Sequence, residues 1–132
     1  MTVAKYLVVK RSTVPMAGKG LFTKIFIPKG CTIIEYKGKI TSWKNADHYG
    51  GKNLYLFYVN KDCVIDARKH KGSLARYAND ARGITKVKGV NNNSEYITEN
   101  KRIFIKATRN IPAGAEIFVA YGKEYWDVMK KL

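Results

Sequence analysis

IFVAYGKEYW, residues 117–126, begins as a short apolar run, delivers Tyr121 to a turn at Gly122 and closes on two further aromatics, Tyr125 and Trp126. A run of this length bounded by a glycine reads as a buried strand, followed here by a terminal helical turn. A phenol held at a strand end suits a polar or cationic ligand. Taken alone, an aromatic cluster is more often a plug for the core than a site, so the segments before it decide.

The 132 residues fit one domain, 1–132, long enough to bury roughly two thirds of its unfolded surface with no metal or disulfide needed. Cys31 and Cys63 are the two cysteines, and neither has a Cys or His at ligand spacing. That argues against a metal site and a disulfide framework, so both read as reduced core thiols. The N-terminal MTVAKYLVVKRS is too short an apolar run for a signal peptide, and no stretch approaches a membrane span. A soluble, intracellular chain without membrane contact is the expectation. Charge is the strongest compositional feature: 25 Lys and Arg against 10 Asp and Glu give a formal +15. Such a field favours polyanions. The basic residues are spread along the whole chain, so a highly soluble surface and contact with nucleic acid both stay open.

Upstream of the quoted stretch the chain reads as many short strands. KYLVVK (5–10) alternates, VPMAGKG (14–20) is a loop, and Gly18-Lys19-Gly20 opens GLFTKIF. Successive glycines let the backbone approach another group, and free N–H groups can face a carboxylate or phosphate. The third glycine and following helix of a dinucleotide fingerprint are absent, as is the Gly-Lys-Ser/Thr ending of a P-loop. By itself the motif is a turn. Ile27-Pro28-Lys29-Gly30 is echoed by Ile111-Pro112-Ala113-Gly114, each leading into an apolar strand. Pro second and Gly fourth suit a type I turn, and two such corners imply small sheets turning sharply, not a tandem repeat.

His48 and His70 are solitary and read as surface or structural histidines. NLYLFYV (53–59) is a strand buried on both faces, and CVIDA (63–67) is another. In GSLARYANDARG (72–83), Leu74, Tyr77 and Ala78 at helical spacing form a short buried turn carrying Arg76, Asn79 and Asp80. Capping is the first reading of that Asn and Asp. A basic loop rich in Gly and Asn follows, and SEYITEN and KRIFIKAT resume the strands.

The order GKGLF (18–22), the Tyr55-Leu56-Phe57 strand, VIDA (64–67), ARYAND (75–80), an Ile-Pro-x-Gly corner and EIFVAYG (116–122) resembles the SET domain of protein lysine methyltransferases. The resemblance covers nearly the whole chain, and the ending YGKEYW is similar to compact viral SET proteins that lack flanking zinc modules. It implies a mainly β, SET-type fold of several small sheets with short helical turns and a C-terminal pseudoknot, formed where the chain near Asn79 meets the segment around Tyr121. It further implies that the backbone of Gly18, Lys19 and Gly20 contacts the cofactor S-adenosylmethionine. Arg76, Asn79 and Asp80 fall on the family's Arg-Phe-x-Asn-His run, with Asn79 at the cofactor-binding Asn. Tyr121 falls on the tyrosine of the methyl-transfer site, Tyr55 on a tyrosine lining it, and Trp126 on the aromatic that covers the adenine. Two departures stand out: Asp80 replaces a histidine, and a longer loop follows in which Asn93 matches the run's final Asn. Val119 occupies the place where a Phe or Tyr often tunes the number of methyls added.

By this resemblance the chain methylates a lysine of a basic protein, a histone or other chromatin protein, in a nuclear or chromatin-associated setting. Nucleic-acid contact through the basic surface and pairing as a homodimer are compatible with it. A rival from another class is a non-enzymatic basic β-domain that binds nucleic acid with exposed Tyr and Trp as stacking platforms.

Overall fold

A computed structural model describes residues 2–15, 17–46, 48, 56–60, 62–66, 74–81, 89–100 and 102–120, with 56–60 as backbone alone. The described strands are β1 (Leu7–Arg11), β2 (Lys19–Thr23), β3 (Thr32–Tyr36), β4 (Lys39–Thr41), β5 (Leu56–Asn60), β6 (Cys63–Asp66), β7 (Ser94–Glu99), β8 (Arg102–Ala107), β9 (Glu116–Ile117) and β10 (Val119–Ala120). They form three small sheets, in the orders β1-β2-β9, β10-β7-β8-β3 and β4-β6-β5. Two short 3-10 turns, Ala4–Tyr6 and Leu74–Tyr77, complete the described elements. The expected mainly β architecture is therefore present.

Local chemistry explains the elements. β8 alternates, with Ile103, Ile105 and Ala107 buried and Arg102, Phe104 and Lys106 turned outward. This is the period of two that a half-buried strand requires. At the N-terminus the strand starts later than the alternation of KYLVVK suggests. Tyr6 N–H bonds back to the Val3 carbonyl at 2.9 Å, and Val3 N–H is itself tied to the Ile33 carbonyl at 3.1 Å. That tether draws Lys5 and Tyr6 into a turn, and β1 begins at Leu7.

The two Ile-Pro-x-Gly corners meet each other. Ile27 and Ile111 exchange both backbone hydrogen bonds, each at 2.8 Å, and both are fully buried. Equivalent bonds recur around them. Gly30 N–H donates to Ala107 as Gly114 N–H donates to Thr23, and Ala107 N–H donates to Cys31 as Thr23 N–H donates to Ala115. Every residue in this set has its counterpart at one constant numerical offset. The sheets follow suit, since Phe22 pairs with Glu116 where Lys106 pairs with Thr32. A local pseudo-dyad thus passes between Ile27 and Ile111. The turns themselves differ from the type I expectation. Cys31 N–H closes on Pro28 and Ala115 N–H on Pro112, both at 3.1 Å, so Pro is first and Gly third. Gly30 and Gly114 have φ of 89° and 86°. A positive φ at the third place is the type II requirement, which glycine meets without a Cβ clash.

The main core gathers Leu21, Ile33, Ile65, Ile103, Ile105, Ile117 and Val119 around the Ile27–Ile111 pair. Ala75 and Ala78 are buried in it, while Leu74 and Tyr77 of the same turn pack on it half-buried. Cys31 and Cys63 are free thiols, both half-buried. His48 Nε2 lies 2.8 Å from the Trp43 carbonyl and its ring meets the Trp43 indole edge-on at 4.3 Å, the structural role expected of it. His70 lies outside the described residues. Among the described residues no helix is long and apolar enough to cross a membrane.

On the outer face of the four-stranded sheet, Arg102 grips Glu35 with Nε to Oε2 at 3.0 Å and Nη2 to Oε1 at 2.7 Å. Those bonds hold the Glu35 carboxyl below its ordinary value. A depressed carboxyl pKa contributes stability above its unfolded value of ~4.3, and the contribution is lost as pH falls through the folded value. Arg102→Ala should therefore lower the urea midpoint slightly at pH 7, with the difference from wild type vanishing as pH falls below ~4. A difference that stayed constant down to acid pH would assign the effect to packing of Arg102 over Phe104 instead.

Candidate functional site

Segment 12–18 links β1 to β2 and is held from two sides. Ser12 N–H donates to the Gly18 carbonyl at 2.8 Å and closes the loop. Val14 within it is buried against Phe118 and Ala81, and complete burial of a valine contributes roughly 1.5–3 kcal/mol. On the polar side stands Glu116, the first residue of β9 and only 5% exposed. Its Oε2 accepts from the Ser12 hydroxyl at 2.7 Å, and its Oε1 from the Thr13 N–H at 2.8 Å and the Thr13 hydroxyl at 2.7 Å. A buried carboxylate persists only where such donors replace its lost hydration. Gly20 lies against the same group: a Cβ there would run into Glu116 Oε2 and stand 2.9 Å from the carboxyl carbon. A side chain at position 20 would have to displace the Glu116 carboxylate from its bonds.

Asn79 arrives from the other side of the C-terminal strand. Asn79 and Phe118 form an isolated parallel bridge, with Val119 N–H donating to the Asn79 carbonyl at 2.8 Å. The opposite edge of that strand is taken by Asn93 and Ser94, whose N–H groups both donate to the Phe118 carbonyl at 3.0 Å. Asn93 adds its side chain: Oδ1 accepts from Phe118 N–H and Nδ2 donates to the Glu116 carbonyl, each at 3.0 Å. Residues 118 and 119 are thereby enclosed between Asn79 and Asn93, the crossing a C-terminal pseudoknot requires. So anchored, Asn79 directs its Nδ2 to the Lys19 carbonyl at 3.0 Å and to Glu116 Oε2 at 3.3 Å. Both amide hydrogens are committed, which leaves the amide oxygen as the acceptor beside the glycine turn.

Gly18, Lys19, Gly20 and Asn79, far apart in sequence, are thus brought together. Arg76 and Asp80 engage other groups. Arg76 Nη2 donates to the Tyr77 hydroxyl at 2.7 Å with its guanidinium 4.7 Å from the centre of that ring. Asp80, 7% exposed, accepts from Asn92 Nδ2 at 3.0 Å, while Asn92 Oδ1 accepts from Ala81 N–H at 2.8 Å. This clasp ties Asp80 and Ala81 to Asn92. Tyr55, Tyr121 and Trp126 lie outside the described residues. Sequence reasoning passed over Ser12, Thr13 and Glu116. The available signal was an acid placed directly before the apolar run IFVA.

Known proteins show which family the chain resembles. A family described as the SET domain matches residues 18–122. Over 116 residues the chain is 34% identical to a histone-lysine N-methyltransferase, H3 lysine-4 specific, of Mycosarcoma maydis, covering 81% of this chain and 7% of that protein. Over 123 residues it is 32% identical to the histone-lysine N-methyltransferase ASHH3 of Arabidopsis thaliana, covering 81% of this chain and 31% of that one. The chain therefore spans less than a third of either relative's length. Among solved structures its fold is similar to the methyltransferase domain of human PR domain-containing protein 2, with a TM-score of 0.65 at 22% identity over 89% of this chain and 78% of that domain.

Proposed function

The chain belongs to the SET-domain family, and from that premise we propose that it transfers a methyl group from S-adenosylmethionine to a lysine side chain of a basic protein, a histone or another chromatin protein. The observation that carries the reading is the bond from Asn79 Nδ2 to the Lys19 carbonyl, which joins the two segments the family resemblance gives to the cofactor. The donor set fits such a ligand. A glycine-rich backbone segment and an amide oxygen beside it offer acceptors for an ammonium. Among the described residues no cluster of His, Cys, Asp and Glu is grouped as metal ligands.

When bound, S-adenosylmethionine supplies a methyl already activated on a sulfonium, so the protein's own task is to bind, orient and dry the site. A lysine amine attacks only when neutral, and its ordinary pKa is ~10.4. A water-poor channel that disfavours the ammonium helps release the proton. Tyr121 and Tyr55 are assigned to orienting the amine, because a phenol is too weakly basic at neutral pH to serve as general base. Trp126 is assigned to covering the adenine. Exposed Arg11 and Lys19 face each other across β1 and β2, beside Lys10. This basic edge supports nucleic-acid contact next to the protein substrate, in a chromatin setting.

Calorimetric titration with S-adenosylmethionine tests the reading. Saturable one-site binding is expected, weakened at least about tenfold by Asn79→Ala and by Trp126→Ala. Tyr121→Phe should keep binding and lose most turnover on histone substrates. A folded wild-type protein that binds no cofactor at millimolar concentration would favour the nucleic-acid module instead.

A further inference from the structure

The geometry points to Glu116 as the positioning residue of the cofactor pocket: its carboxylate sets the shape of the Gly18–Gly20 segment and the orientation of the Asn79 amide, and it fills the space a side chain at position 20 would need. The inference rests on the cofactor reading given above and names the group that builds that site.

Every side-chain contact of this carboxylate is to a segment of the pocket. Three donors come from Ser12 and Thr13, the entry to the glycine turn, at 2.7–2.8 Å. The fourth is Asn79 Nδ2 at 3.3 Å, the amide that also donates to the Lys19 carbonyl within the turn. Ser12 cannot choose another role easily, since its hydroxyl already accepts from Val14 N–H at 3.0 Å and so directs its own hydrogen to Glu116. Lines of force from one buried group thus reach both halves of the pocket. A carboxylate is suited to this because it accepts at both oxygens and donates at neither. A neutral amide of the same shape would present a donor to at least one of these donors, and the loop would have to give way. Position 20 carries the same message from the opposite side. A Cβ there meets Glu116 first, and the second-nearest side chain is Ser12 at 3.2 Å. By contrast, a Cβ at Gly18 meets nothing within 4 Å. The two glycines of the motif therefore answer different demands, backbone conformation at Gly18 with its φ of 72° and room for a protein carboxylate at Gly20.

The test is calorimetry with S-adenosylmethionine on the full chain, as wild type, Glu116→Gln, Gly20→Ala and the double variant. It is paired with thermal unfolding, so that binding is measured where each protein is folded. Glu116→Gln and Gly20→Ala should each weaken binding about tenfold or more, and the double variant should be scarcely worse than either, because both break one contact. A merely structural role would lower the unfolding temperature and leave the affinity of the folded protein, and this non-additivity in affinity, unmoved. Where Glu116→Gln does not fold, Ser12→Ala and Thr13→Val remove its partners one at a time, and the same loss of affinity is expected. Folded variants that bind as wild type does overturn the inference while leaving the cofactor reading intact. A wild type that binds no S-adenosylmethionine removes both.

Discussion

Ile111→Ala is expected to destabilise the protein by about 3 kcal/mol, and Ile27→Ala by a closely similar amount. Both side chains are wholly buried in the main core, and the two residues hold each other through reciprocal backbone bonds at 2.8 Å. Truncation removes three methyl or methylene groups and leaves a cavity at the junction of two corners, where neither sheet can close in without moving the other. The pseudo-dyad makes the prediction sharper than a generic core mutation, since equivalent surroundings imply equivalent costs. Because the two share one cavity, the double variant should lose less than the sum of the singles. Urea denaturation at constant slope measures all three. Losses under about 1 kcal/mol, or costs at the two sites differing severalfold, would show that the corner pair is not the centre of the core.

Much of this architecture is legible in the sequence, because it rests on short-range signals. Alternation in KRIFIKAT gives β8 its inward and outward faces, and the Ile-Pro-x-Gly echoes mark both corners. Their turn type is not legible. Pro within two residues of Gly fits either type, and the choice depends on which carbonyl receives the closing bond, here that of Pro28 or Pro112 itself. Nor does the echo reveal that the corners touch, since nothing local in a chain encodes which distant segment supplies a strand's partner. The late start of the strand within KYLVVK has the same origin: Val3 is captured by Ile33, and propensity yields to that tether.

The site divides along the same line. Gly18-Lys19-Gly20 and Asn79 are recognisable because their order along the chain resembles a family, and the fold then brings them within 3.0 Å. Glu116 escapes because buried acids are rare and a lone Glu before an apolar run is ordinarily a solvated strand end. Only the donors of Ser12 and Thr13, more than a hundred positions earlier, show that it is buried. Asp80 is a different case. The resemblance places it where the family has a histidine, and in the fold it holds Asn92.

Asn79→Asp should be the most damaging single-atom exchange at the site, and its cost should depend on pH. The amide nitrogen it replaces lies 3.3 Å from Glu116 Oε2 and 3.0 Å from the Lys19 carbonyl, so an oxygen there faces two acceptors with no hydrogen between. Like charge and the lost donor both disfavour ionisation of the introduced carboxyl, which raises its folded pKa above the unfolded value of ~3.9. A raised carboxyl pKa means that the unfolded chain ionises first. The stabilising share of the protonated carboxyl, which can donate one hydrogen bond in place of the amide, is present below ~4 and is lost as pH rises through the folded value. At pH 7 the variant should be about 1–3 kcal/mol less stable than wild type, the range for polar groups left unsatisfied, since Asn79 is half-buried, with the deficit narrowing towards pH 4. Urea midpoints of both proteins at pH 4.5, 6 and 7.5, each value being about where the expected slope is measurable, decide the matter. Asn79→Ala is the control, since it removes the same donor without adding a titrating group at position 79 and should not show the widening deficit with rising pH that the introduced carboxyl gives. Equal behaviour of the two variants across that range would mean that Asn79 and Glu116 do not meet as described, and the pocket's two halves would then need another link.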